Sequence, residues 1–147
     1  MRRVKNRERG TSLVETTIVM AVVLALLFGI IDFGRATYTY AFVAQVARQG
    51  ARWAMVRGSQ CTVLDHCNAS QSDIQTYVQS LSEGATTPSG LGVTASWGPC
   101  PPGLSGNDPG CPVTVTVKYP FKFMLPYLPG PNMQINMSST SEMVISQ

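Results

Sequence analysis

Histidine is almost missing from this sequence. Its 147 residues hold one, with eight acids that are mostly scattered. That leaves little material for a hydrolytic or metal site, which draws on clustered imidazoles and carboxylates. Charge of any kind is scarce. Asp, Glu, Lys and Arg make up 13%, against about 25% in an average soluble chain. Basic residues are thin where a nucleic-acid reader needs them. Residues 1–10 carry Arg2, Arg3, Lys5, Arg7 and Arg9 against Glu8, whereas residues 11–147 carry six basic and seven acidic side chains. A DNA or RNA reader spreads its basic residues over a folded face, so no nucleic-acid partner is expected. Gly-x-Ser-x-Gly and phosphate-loop patterns are also missing. The chain therefore reads as no enzyme, with no catalytic residue, cofactor or metal. It is still 44% apolar, which separates it from disordered chains, and its length suits about one domain.

The apolar residues are concentrated. Residues 16–31 hold no charge, and extending the run back to Thr11 gives 21 residues with one acid, Glu15. As a helix this spans about 31 Å, against ~30 Å for a bilayer core. Glu15 then belongs near one end, because an acid at mid-bilayer costs about 2.5–3.5 kcal/mol or more. Five Lys and Arg precede the run, and only Arg35 and Arg48 follow within twenty residues of Ile31. The positive-inside rule puts the N-terminus in the cytoplasm and the rest outside. A cleaved secretory signal fits poorly: the run is long for one, and Asp32-Phe33-Gly34-Arg35 offers no small-x-small site. A plain uncleaved anchor explains the run and the tail, but not an acid five residues after Gly10.

The helical pattern continues past the apolar run. Ala36, Tyr40, Val43, Ala44, Ala47, Ala51 and Ala54 recur at three- and four-residue steps, with Arg48 and Arg52 off the stripe. One helix is expected from residue 11 to about 56, its second half amphipathic, with small side chains that let a sheet approach closely.

Residues 58–147 read as an exported α+β domain. Ser72-Asp73-Ile74-Gln75 resembles a capping box, and Ile74, Tyr77, Val78 and Leu81 form the apolar face of a short helix ended by Gly84. Val93, Ala95 and Trp97 suggest a strand. Val113, Val115, Val117 and Tyr119 alternate with polar residues, and the alternation continues through Phe121, Phe123 and Leu125. A turn at 127–131 precedes a last strand, from Met133 through Ile135 and Met137 towards Ile145. Three or four antiparallel strands result. Four cysteines in an exported domain fit disulfides. Of three connectivities, local pairing, Cys61–Cys67 and Cys100–Cys111, is preferred because each bond would pin a loop without regular structure. Their spacings do not match zinc sites. His66 beside Cys67 is a poor nucleophile pair, since adjacent side chains rarely converge and no orienting partner is evident.

Three stretches carry a resemblance: Arg9-Gly10-Thr11-Ser12-Leu13-Val14-Glu15, the block Phe28-Gly29-Ile30-Ile31-Asp32-Phe33-Gly34-Arg35, and residues 47–58 (ARQGARWAMVRG). The first looks like a type III prepilin signal, and together they resemble TadE-like proteins, pseudopilins of the tight-adherence (Flp) pilus system. The closing INMSSTSEMVIS resembles that family's last strand more weakly. The resemblance implies a single-pass protein of the bacterial inner membrane with a pilin-like fold, a long helix on a small antiparallel sheet. It implies cleavage by a prepilin peptidase between Gly10 and Thr11, with Glu15 the fifth mature residue. Partners would be that peptidase, other pilin-like subunits, an inner-membrane secretion platform and the lipid bilayer. The organisation would be a cytoplasmic basic leader (1–10), a long helix (11–57, membrane-spanning over 11–32) and an exported domain (58–147). Residues i and i+4 share a helix face, so the Thr11 amine freed by cleavage would lie one turn from the Glu15 carboxylate. Thr16 stands where such signals often carry an aromatic residue. Asp32 and Arg35, three apart and within pairing reach, mark the outer membrane boundary.

Overall fold

The computed structural model describes residues 5–82, 90–124 and 134–146, with side chains described from residue 11 onward. The fold is α+β. Its elements are α1 (Lys5–Met55), α2 (Gln71–Ser80), β1 (Gly92–Trp97), β2 (Pro112–Lys122) and β3 (Gln134–Val144). The chain divides into two compact units, Met1–Ala36 with Phe123–Met133, and Thr37–Lys122 with Gln134–Gln147.

The second unit holds the core. No proline interrupts the sequence before residue 88, so nothing removes a backbone donor along α1. The late part of α1 buries Val43, Val46, Ala47, Ala51 and Ala54 with Ile74 and Val78 of α2 and with Val113, Val115 and Val117 of β2. The buried stripe is not quite the one the sequence suggested. Tyr40 is exposed, while Thr39, Val46 and Gly50 are buried. The face that recedes from Ala54 in steps of three and four passes through Thr39, and Tyr40 lies a further ~100° round the helix.

The sheet is a three-stranded antiparallel meander in the order β1-β2-β3. Val93 faces Val117 and Ala95 faces Val115 across β1 and β2. The odd-numbered valines of β2 are fully buried. The opposite face carries threonines in register, Thr116 between Thr94 and Thr140. The Thr116 and Thr140 hydroxyls lie 2.9 Å apart, and Thr114 donates to Glu142. Strand β2 ends at Lys122, so Phe123 is not part of it. Leu125, the expected turn at 127–131, Met133 and Gly84 lie outside the described residues.

The cap of α2 is one turn fragment earlier than expected. Ser70, not Ser72, is the N-cap, in extended conformation, and Asp73, not Gln75, closes the box. Ser70 Oγ accepts from Asp73 N, and Asp73 Oδ2 accepts from Ser70 N at 2.9 Å. A carboxylate is the stronger acceptor of the two candidates. Ser72 then falls inside the helix, where its carbonyl accepts from the Thr76 hydroxyl.

Two disulfides are present, Cys61–Cys67 and Cys100–Cys111. Around them a polar seam joins the two cysteine loops. Ser59 N donates to Asn107 O at 2.8 Å, Asn107 Nδ2 donates to Ala69 O at 2.8 Å, and Ser59 Oγ donates to Asp108 Oδ1 at 2.7 Å. Asp108 also accepts from Ser105 N, and these bonds hold its carboxyl below the usual range.

Candidate functional site

The segment of interest opens α1. The helix runs from Lys5, so the Gly10–Thr11 bond is helical and six helical residues precede Thr11. A peptidase reads extended backbone, so cleavage there needs local opening of this first stretch. A glycine inside a helix lowers its stability by ~1 kcal/mol relative to alanine, and helix ends open most readily. Thr11 and Glu15 sit one turn apart, and Glu15 is exposed.

The helix surface that follows is apolar and uncovered. Thr11–Met55 contains a stretch long and apolar enough to cross a membrane, and none of that stretch is buried inside the protein. Leu13, Ile18, Leu26 and Ile30 are all 60–70% exposed. The hydroxyls of Thr16 and Thr17 would be a liability in lipid, yet both are satisfied along the helix: Thr16 Oγ1 donates to Ser12 O at 2.9 Å and Thr17 Oγ1 to Leu13 O at 2.8 Å. Back-bonding of this kind makes threonine tolerable in hydrocarbon.

At the far end of the apolar run Asp32 is 4% exposed. Arg35 Nη1 donates to Asp32 Oδ1 at 3.2 Å. A third residue joins them: Met124 N donates to both carboxylate oxygens, at 3.2 and 3.1 Å. A buried carboxylate is tolerable only when paired and hydrogen-bonded, and Asp32 has both kinds of partner. No sequence pattern pointed to Met124, because a backbone amide carries no residue-specific signal.

A second cluster lies in the other unit, at a cavity of about 270 Å³ lined by Trp53, Arg57, His66, Asp73, Thr76, Tyr77 and Ser80. Trp53 stacks on Tyr77 with centroids 5.0 Å apart, and the Arg57 guanidinium lies 4.1 Å from the Trp53 ring centre. Arg57 Nε donates to Asp65 O at 2.9 Å, and His66 Nδ1 lies 3.4 Å from Asp73 Oδ1. Cys67 is disulfide-bonded, so it offers His66 no thiol. His66 and Asn68 both take positive φ, near 58° and 57°, and Asn68 Oδ1 accepts from Asn107. Each polar group named here already serves the fold, so the cluster works as a clasp that ties the Cys61–Cys67 loop to both helices. Among the described residues no three His, Cys, Asp or Glu side chains gather as a metal site would require.

The clasp is acid-sensitive in one direction. Hydrogen bonds from the Ser70 side chain and amide, and then the nearby His66, hold the Asp73 carboxyl below its ordinary value of 3.8. A depressed folded-state value means the cap contributes fully above about pH 4 and is lost as pH falls through and below that point. Asp73→Asn is expected to flatten this acid limb, read as helix content and thermal midpoint between pH 6 and pH 2.5. An unchanged limb would remove Asp73 as its source.

Comparison with known proteins adds one finding. The family model described as TadE-like protein matches residues 10–52. The match starts at Gly10 and ends at Arg52, in the last turn of α1. No curated protein and no solved structure matches the chain.

Proposed function

We propose that this chain is a minor pilin-like subunit, a pseudopilin, for assembly of a tight-adherence pilus. The observation that carries the reading is the TadE-like match beginning at Gly10, with Glu15 five residues on at the head of an exposed apolar helix. In this reading α1 anchors the chain in the bacterial inner membrane, with the leader in the cytoplasm and residues 58–147 exported. A prepilin peptidase cuts between Gly10 and Thr11 and removes the basic tail that would otherwise hold the subunit in place. The Thr11 amine and Glu15 then set register against other pilin-like subunits on the secretion platform. The protein is the substrate of an enzyme and performs no catalysis itself.

The test is the intact mass and N-terminal sequence of the protein from membranes of its own host, with the peptidase active. A chain starting at Thr11 is expected, and Gly10→Val is expected to abolish the cut. A native chain that keeps residues 1–10 overturns the processing step. It leaves the second reading, an uncleaved single-pass module serving a secretion complex or binding a ligand through its exported domain.

A further inference from the structure

We infer that the chain touches the membrane twice: besides α1, the connection leaving β2 at Phe123–Met124 rests in the acyl–headgroup boundary of the outer leaflet, held there by Asp32. The inference rests on the membrane-spanning reading of α1. Three observations lead to it.

The first is position. The apolar run that began at Thr11 ends at Ile31, and its 21 residues match the ~30 Å of a bilayer core. Asp32 is the next residue, so a group bonded to its carboxylate lies at the edge of the hydrocarbon. Met124 N is that group, 3.1 Å from Asp32 Oδ2.

The second is chemistry. Backbone outside regular structure is tolerated near lipid only where its donors have partners inside the protein. The Met124 amide meets this condition through Asp32, and Arg35 neutralises the carboxylate. The Arg35 side chain is still 47% exposed, and arginines at membrane edges extend towards lipid phosphates.

The third is exposure. Met124 is 60% exposed, and Phe33, beside Asp32 in sequence, is 75% exposed. Ile30 and Ile31, in the same compact unit, are uncovered as well. Phe123 and Met124 carry no charge. An exposed methionine and aromatic residues at this depth suit the boundary layer, where such side chains concentrate. Lipid is the occupant because Phe33 and Met124 are exposed at the depth where the apolar run ends, and lipid surrounds that run in the spanning reading.

Tryptophan scanning in nanodiscs tests this on the full chain. Leu24→Trp and Met124→Trp are each compared with the parent, whose Trp53 and Trp97 set the baseline. Both new positions are solvent-facing in the protein, so both variants should fold. Leu24→Trp should be quenched by lipids brominated deep in the acyl chain. Met124→Trp should be quenched by shallow bromines by about twofold and shielded from aqueous iodide, as expected for a boundary residue. If Leu24→Trp is quenched but Met124→Trp is open to iodide and blind to bromine, the second contact is overturned and the span survives. If Leu24→Trp is itself unquenched, the spanning reading fails and this inference falls with it.

Discussion

Glu15→Gln subunits are expected to be cut after Gly10 and to remain in the membrane, yet to be lost from complexes with their neighbours. Glutamine keeps the shape of glutamate and removes only its charge. Before cleavage, Thr11 has an amide nitrogen and Glu15 has no cation there to meet. In the proposed reading, cleavage would make that nitrogen an ammonium one helical turn away, in a segment whose most apolar stretch has no cover from its own protein. Once packed among other helices, the pair would be desolvated. Removing one partner of a buried ion pair costs about 3–5 kcal/mol, which is a loss of association of roughly 10²-fold to several thousandfold. Co-purification of a tagged variant with untagged wild-type copies reads this directly. Glu15→Asp keeps the charge on a shorter arm and should fall between. If Glu15→Gln co-purifies like the parent, the carboxylate does not set register. If it is uncut, Glu15 acts earlier, in recognition by the peptidase.

Gly50→Leu is expected to destabilise the second compact unit strongly. Gly50 is buried where α1 crosses α2 and β2. A Cβ there would come within 2.8 Å of Val78 Cγ2 and 3.3 Å of Val115 Cγ1. Both valines are fully buried, and a β-branched side chain on a helix has essentially one rotamer to use. Overpacking a core costs about 1–3 kcal/mol, and a leucine adds three further carbons to a gap that cannot hold one. At about 4–8 °C per kcal/mol for a unit of this size, the midpoint should fall by about 12 °C or more. Gly50→Ala weighs a helix-propensity gain of ~1 kcal/mol against the same contact, so a smaller loss is expected. Thermal melts of the detergent-solubilised chain, followed in the near-ultraviolet, measure both. A midpoint for Gly50→Leu equal to that of the parent would mean α1 does not approach the sheet this closely.

These two positions differ in how visible they were. Glu15 stands out in the sequence because a lone acid interrupts an uncharged run next to Gly10 and a basic tail. Gly50 stands out only as the one glycine in the amphipathic half of α1, and its neighbours Val78 and Val115 are 28 and 65 residues away. The alternation of β2 was plain because one face is fully buried and the other is threonine-rich. Strand β3 was harder to bound. Its inward positions include Ser139 and Ser141, and Ile135 is 46% exposed, so burial and hydropathy part company along it. The cap of α2 was expected at Ser72 with Gln75, and the structure uses Ser70 with Asp73. Local pattern could not rank them, because the choice turns on where the chain leaving Ala69, itself buried, enters the helix.

What the sequence determined alone is whatever depends on composition and short spacing. The charge asymmetry, the apolar run, the helical period and the strand alternation are properties of neighbours along the chain, and hydrophobic burial acts on them wherever they land. What only the tertiary structure decided are the meetings of distant residues: Met124 with Asp32, Asn107 with Ala69, and Val78 and Val115 against Gly50. Each depends on a backbone group or a missing side chain whose significance appears only when the chain closes on itself. Directional hydrogen bonds and contacts at van der Waals distance are fixed by three-dimensional position, and residue identity along the chain does not encode that position one residue at a time.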